Sequence, residues 1–298
     1  MNNLRGTGVA LITPFTNENA VDFEALRRLL QFTISEGIDY LVINGTTAES
    51  VTLTKAEKTD ILAFVKQQVK NQVPIVYGVG GNCTAEIVEL LSQIDFEGIT
   101  AILSVSPYYN KPSQEGIYQH YKALASATAK PIILYNVPGR TGSNITAETT
   151  VRLANDFENI SGIKEASGNM NQCMQILRDK PQDFMVVSGD DNLAMAQIAS
   201  GMDGVISVAA NSFPKEFSML ITAALEGNFA LARAMNDKLL EAYDILFAEN
   251  NPAGVKAFLS ELEIIENHLR LPLVPLSKPL ADRVKKYLVQ FNETTPHV

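Results

Sequence analysis

Two hydrophobic periods alternate along the whole chain. Short β-branched runs recur about every 25 to 35 residues, and each is followed by a longer stretch whose apolar residues fall three and four apart. That alternation restricts the chain to successive βα units, whose strands lie parallel because each return passes through a helix. The runs that read as strands are 8–12, 40–43, 75–79, 101–105, 132–135, 162–164, 185–188 and 205–208. Eight runs without a polar face suit a closed parallel (β/α)8 barrel, the TIM-barrel architecture, whose interior is packed with branched side chains. An open doubly wound sheet would place a phosphate-binding turn such as G-x-G-x-x-G after the first strand, and "TPFTNENAVD" is not one. Helix starts are signalled at Asp22, at Thr54 with Glu57 three residues on, at Ser113 and at Thr146. From about Phe213 the pattern is helical to the end. We therefore expect an α/β chain with a catalytic barrel over 1–226 and a C-terminal helical appendage over 227–298.

Charge and residue usage narrow the chemistry. A formal net charge of −9, with no Lys/Arg stripe, argues against nucleic-acid binding, so an anionic substrate needs local positive groups. No apolar run reaches the roughly 18 to 20 residues that cross a bilayer, and "MNNLRGTGVALITPF" lacks the charged and long apolar regions of a signal peptide. The expectation is a cytoplasmic protein that does not touch membranes. Cys83 and Cys173 make neither a disulfide framework nor a zinc spacing, and His120, His268 and His297 are scattered outside any metal motif. Protons must move on other groups.

"SGIKEASG" poses the sharpest question, because Lys164 and Glu165 directly follow Ile163 on a strand that reads as buried. An unpaired charge in the interior costs several kcal/mol, roughly, so either Lys164 marks where the strand emerges into water or its amine is kept for chemistry. In a barrel the active site lies at the C-terminal strand ends, and those positions carry "NGTTAES", "SPYYNKP", "YNVPGRTG", Lys164 itself, "SGDD" and "SVAAN". Together with "NP…VK" at 251–256 and "LRLPLVPL", this ordered set closely resembles the dihydrodipicolinate synthase family over essentially the full length.

The resemblance implies a (β/α)8 class I aldolase of lysine and diaminopimelate biosynthesis. Such an enzyme condenses pyruvate with L-aspartate 4-semialdehyde, needs no metal or organic cofactor, and assembles as a homotetramer of two tight dimers. It implies Lys164 as the Schiff-base lysine, Tyr135 as acid/base, and Thr46 and Tyr109 as a hydroxyl relay, Tyr109 reaching into the neighbouring subunit's site. A lysine near pKa ~10.4 is almost wholly protonated at neutral pH, so the chemistry requires a site that favours the neutral amine, as an apolar barrel interior does. Backbone N–H groups of a loop such as Gly45 to Thr47 can take a carboxylate, and Thr47 is a substrate-binding candidate. Ala48 stands where the resemblance leads one to expect glycine, and an alanine there would be strained if the position needed positive φ.

Arg140 carries a permanent charge in a bidentate fork, which suits the second substrate's carboxylate. The related N-acetylneuraminate lyases share the lysine and tyrosine but generally lack this arginine, so Arg140 favours the synthase. Gly189 and Ile206 match positions lining the pyruvate pocket. Ser50, Asn82, Glu86 and Tyr108 match an inhibitory L-lysine site, although Lys55 and Lys58 add positive charge beside it. Two other readings stay open at this point: a pyruvate-dependent aldolase with a different aldehyde, and a non-catalytic sensor on the same scaffold.

Overall fold

A computed structural model describes residues 2–294, so residue 1 and residues 295–298, with His297 among them, lie outside the description. Eight parallel strands close on themselves in chain order: β1 Gly6–Ala10, β2 Tyr40–Ile43, β3 Ile75–Gly78, β4 Ala101–Val105, β5 Ile132–Asn136, β6 Ile160–Glu165, β7 Met185–Ser188 and β8 Gly204–Ser207. The closing register pairs Gly6 with Gly204 and Gly8 with Ile206. The first strand ends two residues before the expected limit, at Ala10. Leu11 and Ile12 are still buried, so their apolar character marks burial in a loop rather than strand.

Side chains alternate across the barrel wall with the strand period of two. Tyr40, Val42, Ile133, Tyr135, Val187 and Ile206 pack together inside, whereas Leu41, Ile43, Ile132, Leu134, Ile163 and Val186 face the surrounding helices. The interior is filled, not hollow. The Tyr40 ring lies over Gly8, where a Cβ would come within 2.2 Å of it, so glycine is what admits the ring.

The helices are α1 Phe23–Ser35, α2 Lys55–Val69, α3 Thr84–Gln93, α4 Gln114–Ala127, the single turn α5 Pro138–Thr141, α6 Ala147–Asp156, α7 Met170–Asp179, α8 Ala194–Ala199, α9 Pro214–Leu225, α10 Phe229–Phe247, α11 Ala253–Glu261 and α12 Lys278–Thr294. All four expected start signals act as caps: the side chains of Asp22, Thr54, Ser113 and Thr146 accept the N–H of Ala25, Glu57, Gly116 and Thr149, with a full capping box at Thr54. Each such cap stabilises its helix by about 1 kcal/mol. The helical run that begins after Phe213 is broken at Gly227 (φ 79°) into α9, which packs on β1 and β8, and α10, capped by Asn228.

Residues beyond 227 share a core with the barrel. The Phe213 ring sits 5.2 Å from the rings of both Phe258 on α11 and Phe291 on α12, and Tyr287 lies 5.8 Å from Phe258. Edge-on aromatic contacts of this kind add to the area they bury. This seam brings α11 and the segment after it against the mouth of the barrel.

Candidate active site

Register places the expected lysine and tyrosine side by side. Tyr135 on β5 pairs with Lys164 on β6, and both point into the barrel. Lys164 does not emerge into water: it is 5% exposed, and its Nζ lies 4.4 Å from the centre of the Tyr135 ring. Among the described residues no carboxylate forms an ion pair with it. The opening at Gly189 makes room for this side chain, since a Cβ there would sit 2.9 Å from Lys164 Cε and 2.5 Å from Ala166 Cβ. Ile206 is fully buried in the same interior cluster.

The next residues of the two strands, Asn136 and Glu165, also pair, but on the outer face. Glu165 is buried and accepts from Asn136 Nδ2 (3.0 Å), Gln172 Nε2 (2.9 Å) and the Ser167 N–H (2.8 Å). A fully bonded polar cluster of this kind fixes the strand ends that carry Tyr135 and Lys164.

After β7, the Asp191 carboxylate accepts the N–H groups of Val208 (3.1 Å) and Ala209 (2.8 Å) and is 1% exposed. Burial pushes its pKa up to about 6, while those bonds and the nearby charge of Lys164 pull the other way. Burial likewise raises Asp190, against the charge of Lys164. Two acids thus sense the amine without pairing with it.

At the mouth, Thr46, Tyr135 and Arg140 line one cavity, together with Asn44, Ser50 and Tyr108. The exposed Arg140 stands on α5, its Nη2 3.4 Å from the Asn251 carbonyl. Thr47 is buried, and its Oγ1 accepts from Asn251 Nδ2 at 2.8 Å, so its side chain is turned to the C-terminal segment. The left-handed residues of this loop are Asn44 (φ 61°) and Glu49 (φ 53°), not Ala48, which is buried and whose carbonyl accepts from Thr13 Oγ1.

Not every expected residue joins the cavity. Tyr109 is 88% exposed in a left-handed conformation (φ 72°) and stands away from it. Asn82 is exposed and donates to the Tyr108 carbonyl at 3.3 Å, and Glu86 lies exposed on α3, whereas Ser50 and Tyr108 are on the cavity wall. Reading motifs missed Asn44, whose Nδ2 donates to the Tyr77 hydroxyl at 3.1 Å, as well as the Glu165 cluster and a buried pair between Glu49 and Lys256. One signal for the last was present: Lys256 interrupts the apolar "AGVKAFL" just as Lys164 interrupts its strand.

Comparison with known proteins places this geometry among relatives. A family model described as the dihydrodipicolinate synthetase family matches residues 3–291. A 4-hydroxy-tetrahydrodipicolinate synthase of Parabacteroides distasonis is 52% identical over 290 residues, covering 97% of this chain and 98% of that protein. Among solved structures, dihydrodipicolinate synthase from Thermotoga maritima has a TM-score of 0.94 at 39% identity, covering 97% of this chain and 98% of that one. A chloride-inhibited dihydrodipicolinate synthase of Acinetobacter baumannii complexed with pyruvate has a TM-score of 0.94 at 39% identity, covering 97% and 99%. The enzyme of Cyanidioschyzon merolae with lysine bound has a TM-score of 0.93 at 34% identity, covering 97% and 99%.

Proposed function

The chain belongs to the dihydrodipicolinate synthetase family, and from that premise we propose that Lys164 joins pyruvate to L-aspartate 4-semialdehyde through a Schiff base. The product is 4-hydroxy-tetrahydrodipicolinate, in lysine and diaminopimelate biosynthesis, and the enzyme is a lyase of the class I aldolase type. The observation that carries the residue assignment is a buried lysine without a counter-ion, its amine held over the Tyr135 ring.

The neutral Lys164 amine attacks the keto carbon of pyruvate, and loss of water leaves an iminium. That cation draws electrons from the adjoining methyl group, which releases a proton to become an enamine. The enamine carbon bonds to the aldehyde carbon of the semialdehyde, whose oxygen takes up a proton, and the semialdehyde's own amine then adds to the re-formed iminium carbon and displaces Lys164, which closes the ring and frees the lysine. Tyr135 is the group we assign to these transfers, with Thr46 and Tyr109 passing protons toward solvent. Backbone N–H groups at Thr46 and Thr47 receive the pyruvate carboxylate, Gly189 and Ile206 shape the space for its body, and Arg140 takes the carboxylate of the semialdehyde.

Tyr109 is too exposed to serve the cavity of its own chain, which supports a tight dimer in which it completes the site of a second copy, two dimers making a tetramer. The wall residues Ser50 and Tyr108, with Asn82 and Glu86 nearby, support L-lysine as an effector. Both cysteines are free, in keeping with a reducing cytoplasm.

Mixing the protein with pyruvate and borohydride, then mapping the adduct by mass spectrometry, tests the central assignment. A pyruvate adduct on Lys164 is expected, and turnover with Lys164 unmodified would overturn it. Arg140→Ala should lower kcat/KM for the semialdehyde by about 10- to 100-fold while pyruvate still forms the adduct.

A further inference from the structure

The loop that carries Thr46 and Thr47 is held from behind by the C-terminal segment. Glu49 and Lys256 are both fully buried, with Lys256 Nζ 2.6 Å from Glu49 Oε1. The same ammonium group donates to the His268 carbonyl at 2.8 Å and lies 4.2 Å from the centre of the Phe15 ring. The other Glu49 oxygen accepts the Arg270 N–H at 3.0 Å. Two residues from Glu49, Asn251 Nδ2 donates to Thr47 Oγ1, and the Asn251 carbonyl accepts from Arg140. Residues 251 to 270 therefore touch the loop at positions 47 and 49 and the arginine at 140.

We propose that Glu49, Lys256 and Asn251 are positioning residues that set the Thr46–Thr47 turn and Arg140 against Lys164. Two physical facts favour this over simple reinforcement of the fold. Glu49 is held in the left-handed region (φ 53°, ψ 35°), a conformation that a non-glycine residue keeps where its surroundings over-determine it. A buried ion pair is also a poor source of stability, because apolar side chains of similar volume usually serve as well or better. What the pair supplies is place: one Glu49 oxygen lies against the Lys256 ammonium group and the other accepts the Arg270 N–H, so the carboxylate is held between two parts of the C-terminal segment. Burial shifts Lys256 toward its neutral form and the Glu49 charge opposes that shift, which ties the charge of one partner to that of the other.

This inference rests on the reading that Thr46 and Thr47 receive the pyruvate carboxylate. The test is the double variant Glu49→Gln/Lys256→Met, which removes both charges together, so that neither is left buried without its counter-charge. We expect a melting temperature close to that of the unaltered enzyme, a pyruvate KM raised about tenfold with a smaller change in kcat, and a Lys164 adduct that still forms at saturating pyruvate. A folded double variant with unaltered pyruvate KM and kcat would overturn the proposal. Should that variant not fold, Asn251→Ala removes one hydrogen bond to the loop and is expected to raise the pyruvate KM about threefold; an unchanged KM in a folded Asn251→Ala enzyme would equally overturn it. Failure of the unaltered enzyme to form any pyruvate adduct at Lys164 would instead overturn the reading on which the proposal rests.

Discussion

The barrel mouth and the seam between barrel and C-terminal helices each bury one lysine, and the two are alike until their partners are compared. Both ammonium groups lie over an aromatic ring, Lys164 at 4.4 Å from Tyr135 and Lys256 at 4.2 Å from Phe15. Lys256, at 0% exposure, has a carboxylate at 2.6 Å and a carbonyl at 2.8 Å, whereas Lys164 has no ion-pair partner among the described residues. Burial and a ring face are thus common to the lysine of an ion pair and to the one we assign to reaction. An ion-pair partner distinguishes them: Glu49 takes Lys256, while Asp190 and Asp191, the acids that sense Lys164, form no ion pair with it.

Exchanging the lysines for an uncharged residue of similar length is the strongest attack on that contrast. Lys164→Met should lower turnover by at least about 10³-fold, assayed as steady-state kcat, because no other group forms the covalent intermediate. The same change should leave the melting temperature equal or higher, since an apolar side chain replaces a buried polar one that has no ion-pair partner among the described residues. Lys256→Met should act in the opposite sense on stability, costing about 3 to 5 kcal/mol in denaturant unfolding because Glu49 is left buried and unpaired. Similar unfolding losses for the two variants would break the contrast.

A smaller effect concerns the surroundings of Lys164. Asp191 holds its proton up to about 6 in the folded chain against 3.8 as the ordinary value, so its contribution to stability is full below 3.8 and is lost as the pH rises through about 6. His120, 4% exposed and kept neutral by burial down to about 4 against 6.5, runs the other way: its contribution is full above 6.5 and is lost as the pH falls through about 4. Each shift corresponds to about 3 kcal/mol, so the two nearly cancel across this window. Asp191→Asn removes the first alone. Urea unfolding followed from neutral pH down to about 4 should then show the variant losing more stability with acid than the unaltered chain does.

The smallest expected change is a control close to the seam. Thr54→Ala breaks the capping box at the start of α2, next to the Glu57 carboxylate that Arg270 holds down to about 2. A loss of about 1 kcal/mol with unaltered pyruvate KM would separate local loosening from displacement of the loop.

Strand order, barrel closure and the four helix caps were legible because each rests on a short-range rule: a period, a β-branched run, a Ser, Thr or Asp three residues before an amide. Lys164 was legible for a related reason, a charge interrupting an apolar strand. Lys256 obeys the same rule on α11, yet its meaning depends on Glu49, more than two hundred residues earlier, and no local pattern reports a partner at that distance. The alanine at position 48 shows the converse. Its expected strain assumed positive φ there, but the turn places that conformation at Asn44 and Glu49, and backbone torsion of this kind is set by the closed loop as a whole.

The rings of Phe258, Tyr287 and Phe291 around Phe213 have a consequence for how the protein is made. A ribosome delivers the eight strands first and these residues last, so a nascent barrel exists for a time with Lys164 in place and the Thr46–Thr47 turn without its contacts to the C-terminal segment. During that interval Phe213 lacks the three rings that pack on it, and folding helpers have their opening there. The turn and its backing meet only once the final helices are made.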